Sequence, residues 1–313
     1  MKGVALLVCA ICSFTLLDAT AKHLSATYPV PMIVWARYFF HVVLLALLFG
    51  PRMGTRLVRT RRPLMQLVRG AMLGLSSLFF FLGLAYLPLA DAGAIASIAP
   101  ILVTVLAVRF LGERAPAGTW WALAVSFAGV LLIVRPGSSV FSWAALLPMA
   151  TAFCFATYQL LTRRLSGVDD GMATLFLGGL VSAVIMCAVV PLFWTSPRSG
   201  LDAAMLVATG AIGAFGHMLL VRAFDHAPAT LLAPFGYTQL VAAITVGWLV
   251  FGNFPDAIAL GGMALIVASG VTMAVRQRAP RPVAAPPPVM AHFPCRWAAL
   301  GQSAPPLPRA KIP

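Results

Sequence analysis

Charged side chains are scarce in this chain. Asp, Glu, Lys and Arg make up 10% of its 313 residues, where soluble globular domains carry about 25%. With a mean hydropathy of +0.94, that scarcity excludes an ordinary soluble domain. Cysteines are few, namely Cys9, Cys12, Cys154, Cys187 and Cys295. Cys9 and Cys12 are three apart and share a helix face, but no further ligands stand near them to complete a metal site. Catalytic motifs are missing too. "GLSS" (74–77) does not have the GxSG order of an intramembrane serine protease, and there is no HExxH, no P-loop and no GxGxxG suited to catalysis. An enzyme, a resident metal and a cofactor are therefore not expected.

What the chain has in abundance is apolar sequence. About 20 such residues cross roughly 30 Å of hydrocarbon at 1.5 Å per residue, and ten stretches qualify: 3–24, 30–50, 67–87, 90–111, 118–135, 142–165, 172–195, 202–226, 229–251 and 256–275. The expected fold is an all-α membrane protein of ten transmembrane helices, in contact with the lipid bilayer. Short connections make neighbouring helices antiparallel hairpins. The one long connection, "PRMGTRLVRTRRPLMQ", carries Arg52, Arg56, Arg59, Arg61 and Arg62.

A net charge of +14 would point to nucleic acid in a soluble domain, but here its placement has another cause. With the N-terminus inside, the cytoplasmic side collects Lys2, the five loop arginines, Arg69, Arg109, Arg114, Arg163, Arg164, Arg222 and the six basic residues after 275. The outside holds Lys22, Arg135 and Arg198, and Arg37 stays within the membrane. That is 18 against 3, so the positive-inside rule places both termini in the cytoplasm. No nucleic-acid partner is needed. The Pro-rich basic segment 276–313 reads as a disordered cytoplasmic tail.

An internal repeat is visible. "FAGVLLIVR" (127–135) aligns with "ASGVTMAVR" (268–276) at a spacing of 141, "FLGE" (110–113) with "VFGN" (250–253) at 140, and "LAY" (84–86) with "RAF" (222–224) at 138. Residues 3–135 and 142–275 thus read as two copies of a five-helix unit. Five is odd, so the second copy enters the membrane in the opposite sense. Inverted repeats belong to alternating-access transporters, with the substrate near the midplane between the halves.

The opening helix contains "LLDATAKHL" (16–24), where Ala19-Thr20-Ala21 resembles a signal-peptidase site. Its counterpart in the second copy, 152–166, lies mid-chain. The helix is therefore expected to be retained as the first span.

These residues also resemble a known family. "RGAMLGLSSLFFFLGLAYLPLADAGAIASIAPILVTVLAVRFLGERAPAGTWWALAVSFAGVLLIVRPG" is similar to an EamA domain of the drug/metabolite transporter superfamily, and "APFGYTQLVAAITVGWLVFGNFPDAIALGGMALIVASGV" to its partner domain. The likeness runs from 3 to 275, and "LLDATAKHL" and "VPMIVWARYFFH" are similar in style to branches holding riboflavin and S-adenosylmethionine transporters. The resemblance implies a multi-pass bacterial inner-membrane protein with a central cavity and no ATPase, moving a small organic metabolite by alternating access. Riboflavin-like or S-adenosylmethionine-like uptake, export of amino acids or other metabolites, and flipping of lipid-linked substrates all use that fold. In one departure, Asn253 stands where the first copy has Glu113.

Ionisable groups inside spans each cost roughly 2.5 to 3.5 kcal/mol at a helix centre, so they are the residues to weigh as a site. Asp18 lies about six residues, roughly 9 Å, from the outer end of the first span, and Arg37 lies at nearly the same depth in the second. Asp18 is expected to pair with Arg37 or, within its own helix, with Lys22. His41, one turn from Arg37, and His217, in the middle of the eighth span, either take up a proton in a coupled cycle or simply hydrogen-bond a neighbouring helix. Gly93, Ser97, Pro100 and Thr104 form a stripe on the fourth span, and Pro234, Tyr237, Thr238 and Gln239 cluster on the ninth. These helices are candidate cavity walls, although small residues also serve close packing. Tyr237 and Gln239 suit a planar heteroaromatic solute. Gln159 stands 141 residues after Asp18, which suggests a lining position in both halves. Ser76, Ser77, Trp35 and Tyr158 are weaker candidates.

Overall fold

Apolar runs punctuated by proline, glycine and short polar turns fold as helices throughout. The structure, a computed structural model, describes residues 2–111, 118–135, 142–165, 168–226 and 238–277. Among them every regular element is a helix: α1 (Lys2–Ser25), α2 (Val30–Met53), α3 (Pro63–Tyr86), α4 (Leu89–Ala96), α5 (Ala99–Leu111), α6 (Thr119–Val134), α7 (Leu146–Leu165), α8 (Gly171–Val189), α9 (Gly200–His226), α10 (Thr238–Phe251) and α11 (Ala257–Gln277). Proline opens α2 and α3 within the first turn, where a missing N–H costs nothing. Asp170 caps α8 by accepting from the N–H groups of Met172 (2.8 Å) and Ala173 (3.2 Å).

Six helical segments are long and apolar enough to cross a membrane: Lys2–Ser25, Val30–Val58, Pro63–Tyr86, Trp143–Thr162, Gly171–Phe193 and Gly200–Leu220. The fourth expected span is not one continuous helix. It divides into α4 and α5 at Ser97 and Ile98, three residues before Pro100, which sits in the first turn of α5. Pro100 provides no N–H to the carbonyl one turn before it, so an unbroken hydrogen-bond ladder cannot run through this point. Pro234 and Tyr237, and all but the first two residues of the tail 276–313, lie outside the described residues.

The helices pack in matched pairs. α1 and α2 lie on α9, as α7 and α8 lie on α3; α5 meets α7, as α10 meets α1; α2 meets α8, α4 meets α10 and α6 meets α11. Replacing each helix of the first half by its counterpart in the second maps this set onto itself. Two close approaches follow the same rule at atomic scale. A Cβ added to Gly210 in α9 would lie 2.4 Å from Phe40 Cβ in α2, and one added to Gly70 in α3 would lie 2.5 Å from Val181 Cβ in α8. Gly70 and Gly210 are 140 residues apart and Phe40 and Val181 are 141 apart, which is the repeat spacing. Without glycine the backbones would be pushed apart.

Candidate functional site

α1, α2 and α9 carry the polar residues of the first and eighth spans to one place. Asp18, Arg37 and His41 are 8%, 9% and 4% exposed, and His217 is half-buried. The His41 and His217 rings meet edge to face with centroids 5.8 Å apart, and His217 also meets the Phe14 ring at 4.9 Å. Gly213, one turn before His217, faces both Leu17 and Arg37: a Cβ placed there would lie 3.7 Å from Leu17 Cδ2 and 3.9 Å from Arg37 Nε. Four polar side chains from three helices thus gather in one small region.

The expected ion pairs are absent from it. Among the described residues the salt bridge within 4 Å is Arg135 to Asp256, and neither Asp18–Arg37 nor Asp18–Lys22 is joined. Arg37 lies over the Tyr38 and Phe81 rings, at 5.3 Å from each centroid. Lys22 Nζ donates to the carbonyls of Leu84 (2.7 Å) and Leu87 (2.6 Å), at the C-terminal end of α3, and faces the Phe251 ring. A cation there satisfies the carbonyls a helix end leaves open and complements its dipole. With its ammonium held there, Lys22 is not joined to Asp18, one turn earlier on α1.

Arg69, counted from sequence among the cytoplasmic charges, is also buried, at 2% exposure. Its guanidinium donates from Nε to Thr162 Oγ1 (2.7 Å), from one terminal nitrogen to the Thr174 carbonyl (2.8 Å) and Gln66 Oε1 (3.4 Å), and from the other to the Tyr158 hydroxyl (3.0 Å). It knits α3 to α7 and α8. The sequence signal was the pair Gln66 and Arg69, one turn apart on an otherwise apolar helix. Beside it, the Tyr38 hydroxyl shares a 2.5 Å hydrogen bond with Ser77 Oγ.

Among the described side chains, the other candidates make no hydrogen bond or ring contact with the cluster. Ser97 Oγ donates to the Gly93 carbonyl of its own helix at 2.8 Å. Thr104 belongs to α5, but its side chain lies outside the described residues. Gln239 is half-buried at the start of α10. Gln159 is exposed, while its neighbour Tyr158 is buried against Arg69.

Two polar staples lie outside the spans. Near the start of α8, Asp169 accepts from Thr60 Oγ1 (2.5 Å), the Arg61 N–H (2.9 Å) and Gln66 Nε2 (3.0 Å). Burial works against its ionisation, but these hydrogen bonds and the Arg61 charge outweigh it and hold the carboxyl below its ordinary 3.8. At the other end of the molecule, Arg135 after α6 pairs with Asp256 before α11. That pairing, with the Ala259 N–H at 2.8 Å, also holds Asp256 below the usual carboxylate range.

Charged groups enclosed between apolar helices mark the interior of a polytopic membrane protein as a candidate functional site. The EamA-like transporter family model matches residues 1–135 and again 142–275, and the chain belongs to that family. The pseudopaline exporter of Pseudomonas aeruginosa is 33% identical, over 87% of this chain and 95% of that protein. The riboflavin transporter of Rhizobium johnstonii is 29% identical over 86% and 89%. The S-adenosylmethionine uptake transporter of Rickettsia felis is 26% identical over 85% and 90%. A crystal structure of 21% identity superposes with a TM-score of 0.59, over 88% of this chain and 96% of the other, a likeness of fold.

Proposed function

We propose that this protein is a secondary transporter of a small organic metabolite in a bacterial inner membrane, working by alternating access between two inverted halves, 3–135 and 142–275. The observation that carries the reading is the enclosed group Asp18, Arg37, His41 and His217, held between helices of both halves. Charges are retained at such depth where a pathway uses them. The exchange of packing partners between the halves supports inversion, because two copies related by a twofold axis in the membrane plane bury equivalent faces on each other. The divided fourth span supports it too, since broken helices line transporter sites. One relative is named an exporter and another an uptake transporter, so either direction of transport fits the reading. His41 and His217 are the residues we assign to proton coupling.

Counter-flow in proteoliposomes tests the reading, with labelled S-adenosylmethionine and riboflavin first and a bacterial metabolite extract next. Saturable uptake against preloaded solute, lost in Asp18→Asn while the variant still inserts, is the expected result. Normal transport by Asp18→Asn would remove Asp18 from the site. Rates unaffected by collapse of the proton gradient would remove the histidines from coupling.

A further inference from the structure

Three helix ends meet around one ammonium. Lys22, in the last turn of α1, donates from Nζ to the carbonyls of Leu84 (2.7 Å) and Leu87 (2.6 Å) at the end of α3. The same nitrogen stands 5.6 Å from the ring centroid of Phe251, the last residue of α10. α1 and α3 belong to the first half of the chain and α10 to the second, so one side chain spans both. A lysine that only anchored its own helix would snorkel, with its ammonium out among the headgroups. Lys22 is instead half-buried and bonded to another helix.

The packing beside it is open. A cavity of about 300 Å³ lies at these ends, with Ser25, Ala26, Ala85 and Phe251 in its wall beside Lys22 and Leu84. An ammonium on two main-chain carbonyls can let go without unfolding anything. The last carbonyls of a helix have no partner within it and accept from water once the lysine leaves.

The second half carries an answering contact. Arg164, near the end of α7, donates to the Phe110 carbonyl (2.5 Å), near the end of α5. Phe110 precedes Phe251 by 141 residues, and Arg164 follows His23, the neighbour of Lys22, by 141. In each half, then, a cation at the end of the first helix reaches the same phenylalanine position, by its ring in one case and by its carbonyl in the other. The inverted-repeat reading assigns the two contacts to opposite faces of the membrane.

We propose that Lys22 is the latch of the gate on the outer face: its bonds to Leu84 and Leu87 hold the ends of α1 and α3 together beside α10 while that face is closed, and they part when it opens. Arg164 on Phe110 does the same for the inner face. The proposal rests on alternating access between the halves and names the residue that closes one side of it. Lys22 is thus a positioning residue in the cycle, acting on helix ends.

The test reads the gap itself, in the full chain with its native cysteines replaced by serine. Spin labels on Ala26→Cys and Ala85→Cys report the separation of the α1 and α3 ends by double electron–electron resonance in lipid nanodiscs, with no solute added. A short distance should dominate in this background. Lys22→Met should raise the ratio of long to short distances about tenfold, the loss of one charge-assisted contact. Lys22→Arg, which keeps a cation, should stay near the background, and Lys22→Gln, which keeps donors without charge, should fall between. Arg164→Met should lower the ratio, because freeing the inner face favours closure of the outer one. A merely structural cap gives no such opposition of sign. An unchanged distribution in Lys22→Met, or in Lys22→Gln should the first variant fail to fold, overturns the latch. Equal lengthening in Lys22→Met and Arg164→Met overturns it too, as general loosening. Either result leaves transport standing, since the distances are read without solute; absence of counter-flow by the native chain is what removes transport, and the gate with it.

Discussion

Two buried arginines show how differently one residue type is used. Arg69 is a structural tie whose donors all end on α7, α8 or its own helix, whereas Arg37 is buried over the Tyr38 and Phe81 rings. Arg69→Met should therefore lower stability by about 2–4 kcal/mol, because Tyr158, Thr162 and the Thr174 carbonyl lose a charged donor in a dry interior. Arg37→Gln should cost transport and little stability. Thermal unfolding of both variants in detergent separates the roles; an unchanged midpoint for Arg69→Met would contradict its assignment as a tie. Depth along a helix is legible in sequence from residue count alone, and it placed Asp18 and Arg37 in the same region. Azimuth is not, and for that reason the missing Asp18–Arg37 contact and the burial of Arg69 were not legible. A step of one residue turns a helix by about 100°, enough for Tyr158 to be buried while Gln159 is exposed.

At the scale of helices, close approach and end staples govern how the elements meet. Gly210→Ala would put a methyl 2.4 Å from Phe40 Cβ and 2.8 Å from the His41 backbone nitrogen. Backbone cannot swing aside, so α2 and α9 must separate, at a cost of about 1–3 kcal/mol. Gly261→Ala in α11 meets nothing within 4 Å; it should be neutral or stabilise by up to about 1 kcal/mol, since glycine is a poor helix former. Parallel melting curves check the pair, and equal midpoints would refute the packing argument. Asp169 gives a pH dependence of known sign. Its folded pKa lies below the ordinary 3.8, so the stability it adds is whole above that value and drains away as pH falls through the folded value. The acid limb of the unfolding curve should be shallower in Asp169→Asn than in the native chain. Element boundaries were largely legible, because apolar runs with proline and glycine at their ends define helices. The division of the fourth span was only half legible. Pro100 announced a perturbed helix, but the choice between a kink and a complete break depends on how α4 and α5 pack separately on α10 and α7.

For the whole molecule, the decisive question is whether equivalent loops of the two halves lie on opposite sides of the membrane. Arg52 in the last turn of α2 is followed in the α2–α3 connection by Arg56, Arg59, Arg61 and Arg62, whereas the α8–α9 connection holds Arg198 alone. Arg59 and Arg198 are 139 residues apart, so they are close to equivalent in the repeat and unlike in their charge surroundings. By the positive-inside rule the first connection is expected in the cytoplasm and the second outside. If α4 and α5 together make one crossing, five crossings separate equivalent points, and an odd number demands that same reversal. In a chain whose native cysteines are replaced by serine, Arg198→Cys should react with a membrane-impermeant maleimide in intact cells. Arg59→Cys should react only after permeabilisation. Labelling of both sites from the same side would remove the inversion, and with it the reason for the matched packing of α1 and α2 on α9 and of α7 and α8 on α3. The opposite-side result would make the Asp18–Arg37 cluster half of a two-sided device: the first half supplies the charges, and α9 of the second half supplies the glycine face and His217 that close over them.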